Sequence, residues 1–227
     1  MKRKTLDAIV SARRERRALV RVLALESGEE RLVDPAPDLA TDALADPIAT
    51  AVRSDRAAVV EHEGAAYFVQ PFNPSLRLAI VGAVHIAQRL ARLALDLGYH
   101  VTLIDPRRGF LTEARFPEVT RVHDWPDEAL TAFAPDARSA VVTLSHDAKI
   151  DEPALSVALR SDAFYVGALG SQRTQAKRRD RLAEAGLDAA ALSRIHGPVG
   201  LDLGAQSPAE IALSIAAELT ATLRARE

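Results

Sequence analysis

One stretch, Leu78 to Asp105, does most to limit what this 227-residue chain can fold into. It reads LAIVGAVHIAQRLARLALDLGYHVTLID: an apolar run at Leu78–Val81, a turn at Gly82, an amphipathic helix, and a second apolar strand ending at Asp105. This is the pattern of a βαβ unit. An acidic residue about 20 positions after the first glycine stands where a dinucleotide fold keeps its ribose carboxylate. The fingerprint is incomplete, however. G-x-G-x-x-G asks for glycine at 84 and glycine or alanine at 87, and the chain has Val84 and Ala87. Ala87 keeps the close helix–sheet packing. Val84 puts a side chain where the second glycine lets a pyrophosphate touch backbone.

From there on, apolar strands and helices alternate. Strands are predicted at 120–123, 139–144 and 163–169, and helices at 127–133, 151–160 and 172–185. A last helix starts at Pro208, with Ile211, Ile215, Leu219 and Leu223 spaced by four residues beside Ala212 and Ala216. Short crossovers between apolar strands demand a parallel sheet with helices on both faces. The expected class is α/β: a Rossmann-like, doubly wound, mostly parallel sheet over residues 75–227, behind a small α+β domain over residues 1–74. In that front part we expect a helix at 5–16, a strand at 18–25, a helix at about 38–53 after Pro35 and Pro37, and a hairpin across His62-Glu63-Gly64. Pro71-Phe72-Asn73-Pro74 reads as a stiff linker.

Charge and composition narrow the function. A net charge of −2 gives no bulk field for nucleic acid or an anionic membrane. The arginine clusters at 13–17 and 178–181 read as helix-surface charge. With no cysteine in the sequence, disulfides, thiolate metal sites and cysteine nucleophiles are excluded within it. The first residues lack the apolar core of a signal peptide and no apolar run is long enough to span a bilayer, so a cytoplasmic protein is expected.

In open parallel sheets, ligands sit beyond the carboxyl ends of the strands, and every loop there carries candidates. Gly82–Ala87 opens a helix whose free N–H groups favour an anion, with His85 in its first turn facing either a ligand phosphate or solvent. Asp105 can accept from a ribose or pterin hydroxyl or amine, and Arg107 and Arg108 can meet phosphate. Ser145, His146, Asp147 and Asp151 can hold a metal or work as acid and base, or Asp151 can simply cap the next helix. Gly170 allows tight backbone, and Ser171, Arg173 and Thr174 supply donors. Gly200, Asp202 and Gly204 precede a capping box of Ser207 and Glu210 with Pro208 at the first helical position. Together the loops predict a crevice for an extended, phosphate-bearing ligand, bound by Gly82, Val84, His85, Asp105, Arg107, His146, Asp147, Gly170, Ser171, Arg173, Thr174, Gly200, Asp202 and Gly204. A Ser–His–Asp hydrolase is disfavoured, since no G-x-S-x-G elbow occurs.

VGAVHIA, DPRRGFLTEARFP, TLSHDAKID, YVGALGSQRT and GPVGLDLGAQSPAEIALSIAAE, in this order and spacing, resemble the XdhC/CoxI family over about residues 76–227. These are accessory proteins for molybdenum hydroxylases such as xanthine dehydrogenase. The resemblance implies a non-catalytic chaperone that binds molybdenum cofactor, as molybdopterin in its mono- or dinucleotide form. Such a protein protects the cofactor during sulfuration and delivers it to the apo-hydroxylase. It also implies a homodimer and contact with a cysteine desulfurase. The chain departs from the family pattern at Val84 and in residues 1–74, which show no glycine- and cysteine-containing motifs, so no role of a family cysteine carries over. The competing expectation is an NAD(P)-dependent oxidoreductase, with Asp105 on the adenosine ribose and His146 as proton donor.

Overall fold

The computed structural model describes residues 2–36 and 38–225; Pro37 lies outside the described residues. The chain divides into two units, residues 1–75 and 76–227.

The first unit runs α1 (Arg3–Arg14), β1 (Leu19–Ala24), β2 (Glu30–Val33), a 3-10 turn (Leu39–Thr41), α2 (Ala45–Ser54), β3 (Ala58–His62) and β4 (Ala65–Phe72). The strands form an antiparallel sheet in the order β2-β1-β4-β3. Alternation along β1 sends Val20 and Val22 to Ile48 and Ala51 of α2, and Leu19 to Ile9 and Ala12 of α1. The expected helix over 38–53 is broken. Asp42 accepts a hydrogen bond from the Leu44 N–H at 2.8 Å and also pairs with Arg31, which holds a turn ahead of α2. The expected linker is partly strand, because β4 continues through Pro71, opposite Val20. β3 pairs no further than Val69, so beyond it β4 is bonded on one side only, where a residue without an N–H is tolerated.

The second unit holds β5 (Arg77–Val81), α3 (His85–Asp96), β6 (His100–Ile104), β7 (Thr120–Val122), α4 (Pro126–Phe133), β8 (Ser139–Thr143) and α5 (Ala148–Leu159). It continues with β9 (Tyr165–Ala168), α6 (Gln172–Glu184), α7 (Ala189–Ser193), β10 (Ile195–His196) and α8 (Pro208–Arg224). The sheet order is β10-β9-β8-β5-β6-β7, and every pair is parallel. The chain runs outward from β5 to β6 and β7 and then returns through α4 to β8 on the other side of β5, so the topological switch point lies between β5 and β8. Leu78, Ile80, Leu103 and Val142 meet α3 and α8 on one face, while Ala79, Val81, Ile104 and Val141 meet α4, α5 and α6 on the other. Burial on both faces is why these strands read as unbroken apolar runs. The short elements α7 and β10 carry too few residues for a periodic signal.

Leu90 is fully buried where α3 meets the sheet. Leu90→Ala is expected to cost about 2–5 kcal/mol, read in urea as a lower midpoint at unchanged m-value. A midpoint equal to the parent's would mean that α3 is not packed as described.

Candidate functional site

The loop after β5 is fixed by a close approach. Gly82 has φ +103°, and a Cβ on it would lie 2.8 Å from the Ser145 backbone nitrogen, so this glycine lets the loops after β5 and β8 touch. Val84 differs. It is the N-cap of α3, with φ −91° and ψ 177°, a conformation open to any residue, and its partly buried side chain packs on the core beneath α3. It gives α3 no side-chain cap. His85, the first residue of α3, is exposed.

Asp105 follows β6 and is entirely buried. Its Oδ2 accepts the Ala83 N–H at 2.7 Å and Arg107 Nη2–H at 2.8 Å. Its Oδ1 accepts the Arg107 backbone N–H and Nε–H, both at 2.9 Å. Burial pushes the carboxyl up, but the hydrogen bonds from the Arg107 side chain, the Ala83 N–H and the Arg107 N–H outweigh it and hold its pKa below the ordinary value. The carboxylate therefore ties the first glycine turn to the β6 loop instead of standing open. The Arg107 side chain, 36% exposed, is what reaches the surface, with its guanidinium 4.5 Å over the Phe110 ring. Its pKa is raised, first by the Asp105 hydrogen bond, which outweighs burial, and further by the fields of Asp105, Asp147 and Asp151.

In the loop after β8, His146 is exposed and held at φ +64°, a left-handed conformation rare for a side-chain-bearing residue. Asp147, not Asp151, caps α5, accepting from the Lys149 N–H at 2.9 Å. The expectation of an Asp151 cap fails because α5 starts a turn early and Asp151 faces inward, fully buried. It accepts from Ser145 Oγ–H at 2.6 Å and Ser145 N–H at 3.2 Å, and its Oδ2 lies 3.5 Å from Arg178 Nη2. Burial raises the Asp151 pKa against these partners and lowers that of Arg178. Arg178 thus departs from the surface-charge reading of its cluster: it is 3% exposed and also donates to Gln175 Oε1 and the Leu169 carbonyl.

Along the rest of the edge, Gly170 has φ +141° and leads into Ser171, which caps α6 by accepting from the Thr174 N–H. Ser171, Arg173 and Thr174 are exposed. The loop of Gly200, Asp202 and Gly204 is anchored from behind. Gly200 has φ +95°, and its N–H donates to Glu218 Oε2 at 2.7 Å. The same carboxylate accepts from Tyr165 O–H and pairs with His196 Nδ1 at 3.1 Å, while the Tyr165 and His196 rings stack 4.4 Å apart. Burial raises the Glu218 carboxyl, but the bonds from His196, Tyr165 and Gly200 bring it below its ordinary value. Asp202 and Gly204 are exposed, and the Ser207–Glu210 capping box is present. Sequence reasoning missed Glu218, Gln175 and the burial of Arg178. A carboxylate inside the apolar stripe of α8 was the one available signal. Among the described residues, no group of three or more His, Cys, Asp or Glu is placed to hold a metal ion, and no helix is long and apolar enough to cross a membrane.

The family model for the XdhC Rossmann domain matches residues 78–219. A protein of Bacillus subtilis, named as a probable subunit of xanthine dehydrogenase, is 32% identical over 156 residues, which is 68% of this chain and 45% of that protein. The molybdenum cofactor insertion chaperone PaoD of Escherichia coli is 33% identical over 148 residues, 65% of this chain and 40% of that protein. The chain thus spans less than half the length of these relatives. A crystal structure of a xanthine dehydrogenase from Bacillus halodurans shares the fold, at TM-score 0.72 and 24% identity, over 99% of this chain and 65% of that one.

Asp105→Asn removes a charge that four donors have been built to meet, and is expected to cost about 2–3 kcal/mol at pH 7. Because the folded pKa is depressed, the parent's advantage is full above the unfolded value near 4 and is lost as the pH falls through the folded one. Denaturation at pH 7 and at pH 3 checks this; an equal gap at both would refute it.

Proposed function

The chain belongs to the XdhC family, and from that premise we propose that it is an accessory protein that holds molybdenum cofactor for a xanthine dehydrogenase-type hydroxylase. It holds the cofactor for sulfuration and hands it to the apo-enzyme, with no reaction of its own. The relative named as a molybdenum cofactor insertion chaperone supports the cargo. One structural observation carries the site. The helices after β8, β9 and β10 are each capped by a side chain, Asp147, Ser171 and Ser207, whereas α3 and α4 have none, and of these two only α3 stands at the switch point and starts without a proline. The N–H groups of its first turn are therefore left to an incoming oxyanion, where the helix dipole also favours negative charge.

In this reading the phosphate of the cofactor lies at Val84 and His85, and the pterin extends over Arg107, His146 and Asp147. The Gly170–Thr174 and Gly200–Gly204 loops border the far side. Val84 offers an apolar contact to a flat ring. With no cysteine in the sequence, the grip is on the organic part of the cargo and not on molybdenum. Transfer requires contact with the apo-hydroxylase, and sulfuration requires a cysteine desulfurase nearby. We assign these partners, and self-association as a homodimer, to the same proposal.

The test is purification under anaerobic, reducing conditions from cells that make the cofactor, followed by oxidation to the fluorescent pterin derivative. Retained pterin is expected, and its absence would sink the proposal. His85→Glu sets a like charge at the open end of α3 and is expected to weaken retention about tenfold. Unchanged retention would place the phosphate elsewhere.

A further inference from the structure

We propose that Arg107 sets the ligand specificity of the crevice: by filling Asp105 from within the chain it withdraws the acceptor for a ribose diol and puts guanidinium donors in its place. An ionised carboxylate has about four acceptor sites. Asp105 uses four, on the Ala83 N–H, the Arg107 N–H, Arg107 Nε–H and Arg107 Nη2–H, and none of its surface is exposed. In a Rossmann fold the carboxylate at the end of the second strand of the βαβ unit receives the ribose hydroxyl of a dinucleotide. Here a diol can reach it only if Arg107 leaves. That would break a two-bond, charge-assisted contact and strip a buried carboxylate of its counter-charge.

Two further features hold the guanidinium where it is. Its plane lies over Phe110, and the fields of Asp147 and Asp151 add to that of Asp105 in favouring the cation. Nη1 has no hydrogen-bond partner among the described residues, so the position offers N–H donors to the crevice. With Asp105 already meeting its charge through two hydrogen bonds, an additional anion gains little there. A neutral acceptor, the carbonyl or ring nitrogen of a heterocycle, is the group this position reads. A nicotinamide dinucleotide meets the reverse pattern at its adenosine ribose. The refusal of a ribose diol stands whichever cargo the crevice carries.

The experiment is titration calorimetry with ADP-ribose on the parent, Val84→Gly, Val84→Gly/Arg107→Ala and Val84→Gly/Arg107→Met. The glycine removes the separate obstacle to the pyrophosphate, and methionine keeps an apolar stem on Phe110 if alanine unfolds the loop. Loss of Arg107 in the glycine background is expected to raise the affinity at least tenfold, and a further Asp105→Asn to abolish the gain. Val84→Gly alone binding as tightly as the double variants would overturn the proposal. So would folded double variants that gain nothing, or a gain that survives Asp105→Asn. A parent that retains no pterin, alongside a double variant that gains ADP-ribose, would defeat the cofactor reading and leave the specificity assignment standing.

Discussion

A carboxylate taken out of water must be met by donors or a counter-charge, at a cost of several kcal/mol if it is not. Three such groups hold the sheet edge of the second unit. Asp105 joins the Gly82 turn to the loop after β6 through the Ala83 N–H and Arg107. Asp151 joins Ser145 to Arg178 of α6, beneath the loop that presents His146. Glu218 joins the Gly200 N–H to Tyr165 and His196. Each lies behind a loop and reaches forward to a backbone N–H. The loops are therefore shaped from the interior, and the residues at their tips stay exposed.

The same arrangement explains what the sequence could and could not disclose. The strands of the parallel sheet were legible because burial on both faces leaves runs such as LAIV and AVV with no polar interruption. The final helix was legible because Ser207, Pro208 and Glu210 act within one turn. The anchors were not. Arg178 sits in the run KRRDR, which by composition is surface, and it is buried by tertiary neighbours, Asp151 of α5 and the Leu169 carbonyl among them. Asp151 looked like a cap because the true start of α5 is set by Asp147, an equally good cap one turn earlier. Pro71 read as a linker because sequence does not show which stretch of a strand lacks a neighbour. Candidate residues at the loop tips followed from strand-end position alone, but the state of Asp105, filled and closed, depends on a rotamer of Arg107 that no spacing rule contains.

A fingerprint glycine can serve two purposes, a backbone angle that other residues resist and clearance for a ligand, and the two glycine positions of this turn separate them. At Gly82 the angle applies, with φ +103°, and the room a Cβ would take is filled by the chain's own Ser145. At Val84 the angle is −91°, so valine leaves the turn unstrained and only the clearance is lost. The change therefore acts on whatever approaches the open end of α3 and not on the fold. In the proposed reading, a pyrophosphate laid along the turn would meet the isopropyl group, while a terminal phosphate would come end-on to the first-turn N–H groups. With Asp105 already filled, both of the contacts by which this fold ordinarily recognises a dinucleotide differ here, while the uncapped first turn of α3, to which the proposal assigns the phosphate, is kept. Alteration of the two selective contacts, with the electrostatic one preserved, is the pattern that the proposed change of ligand requires and that simple decay of a site would not single out.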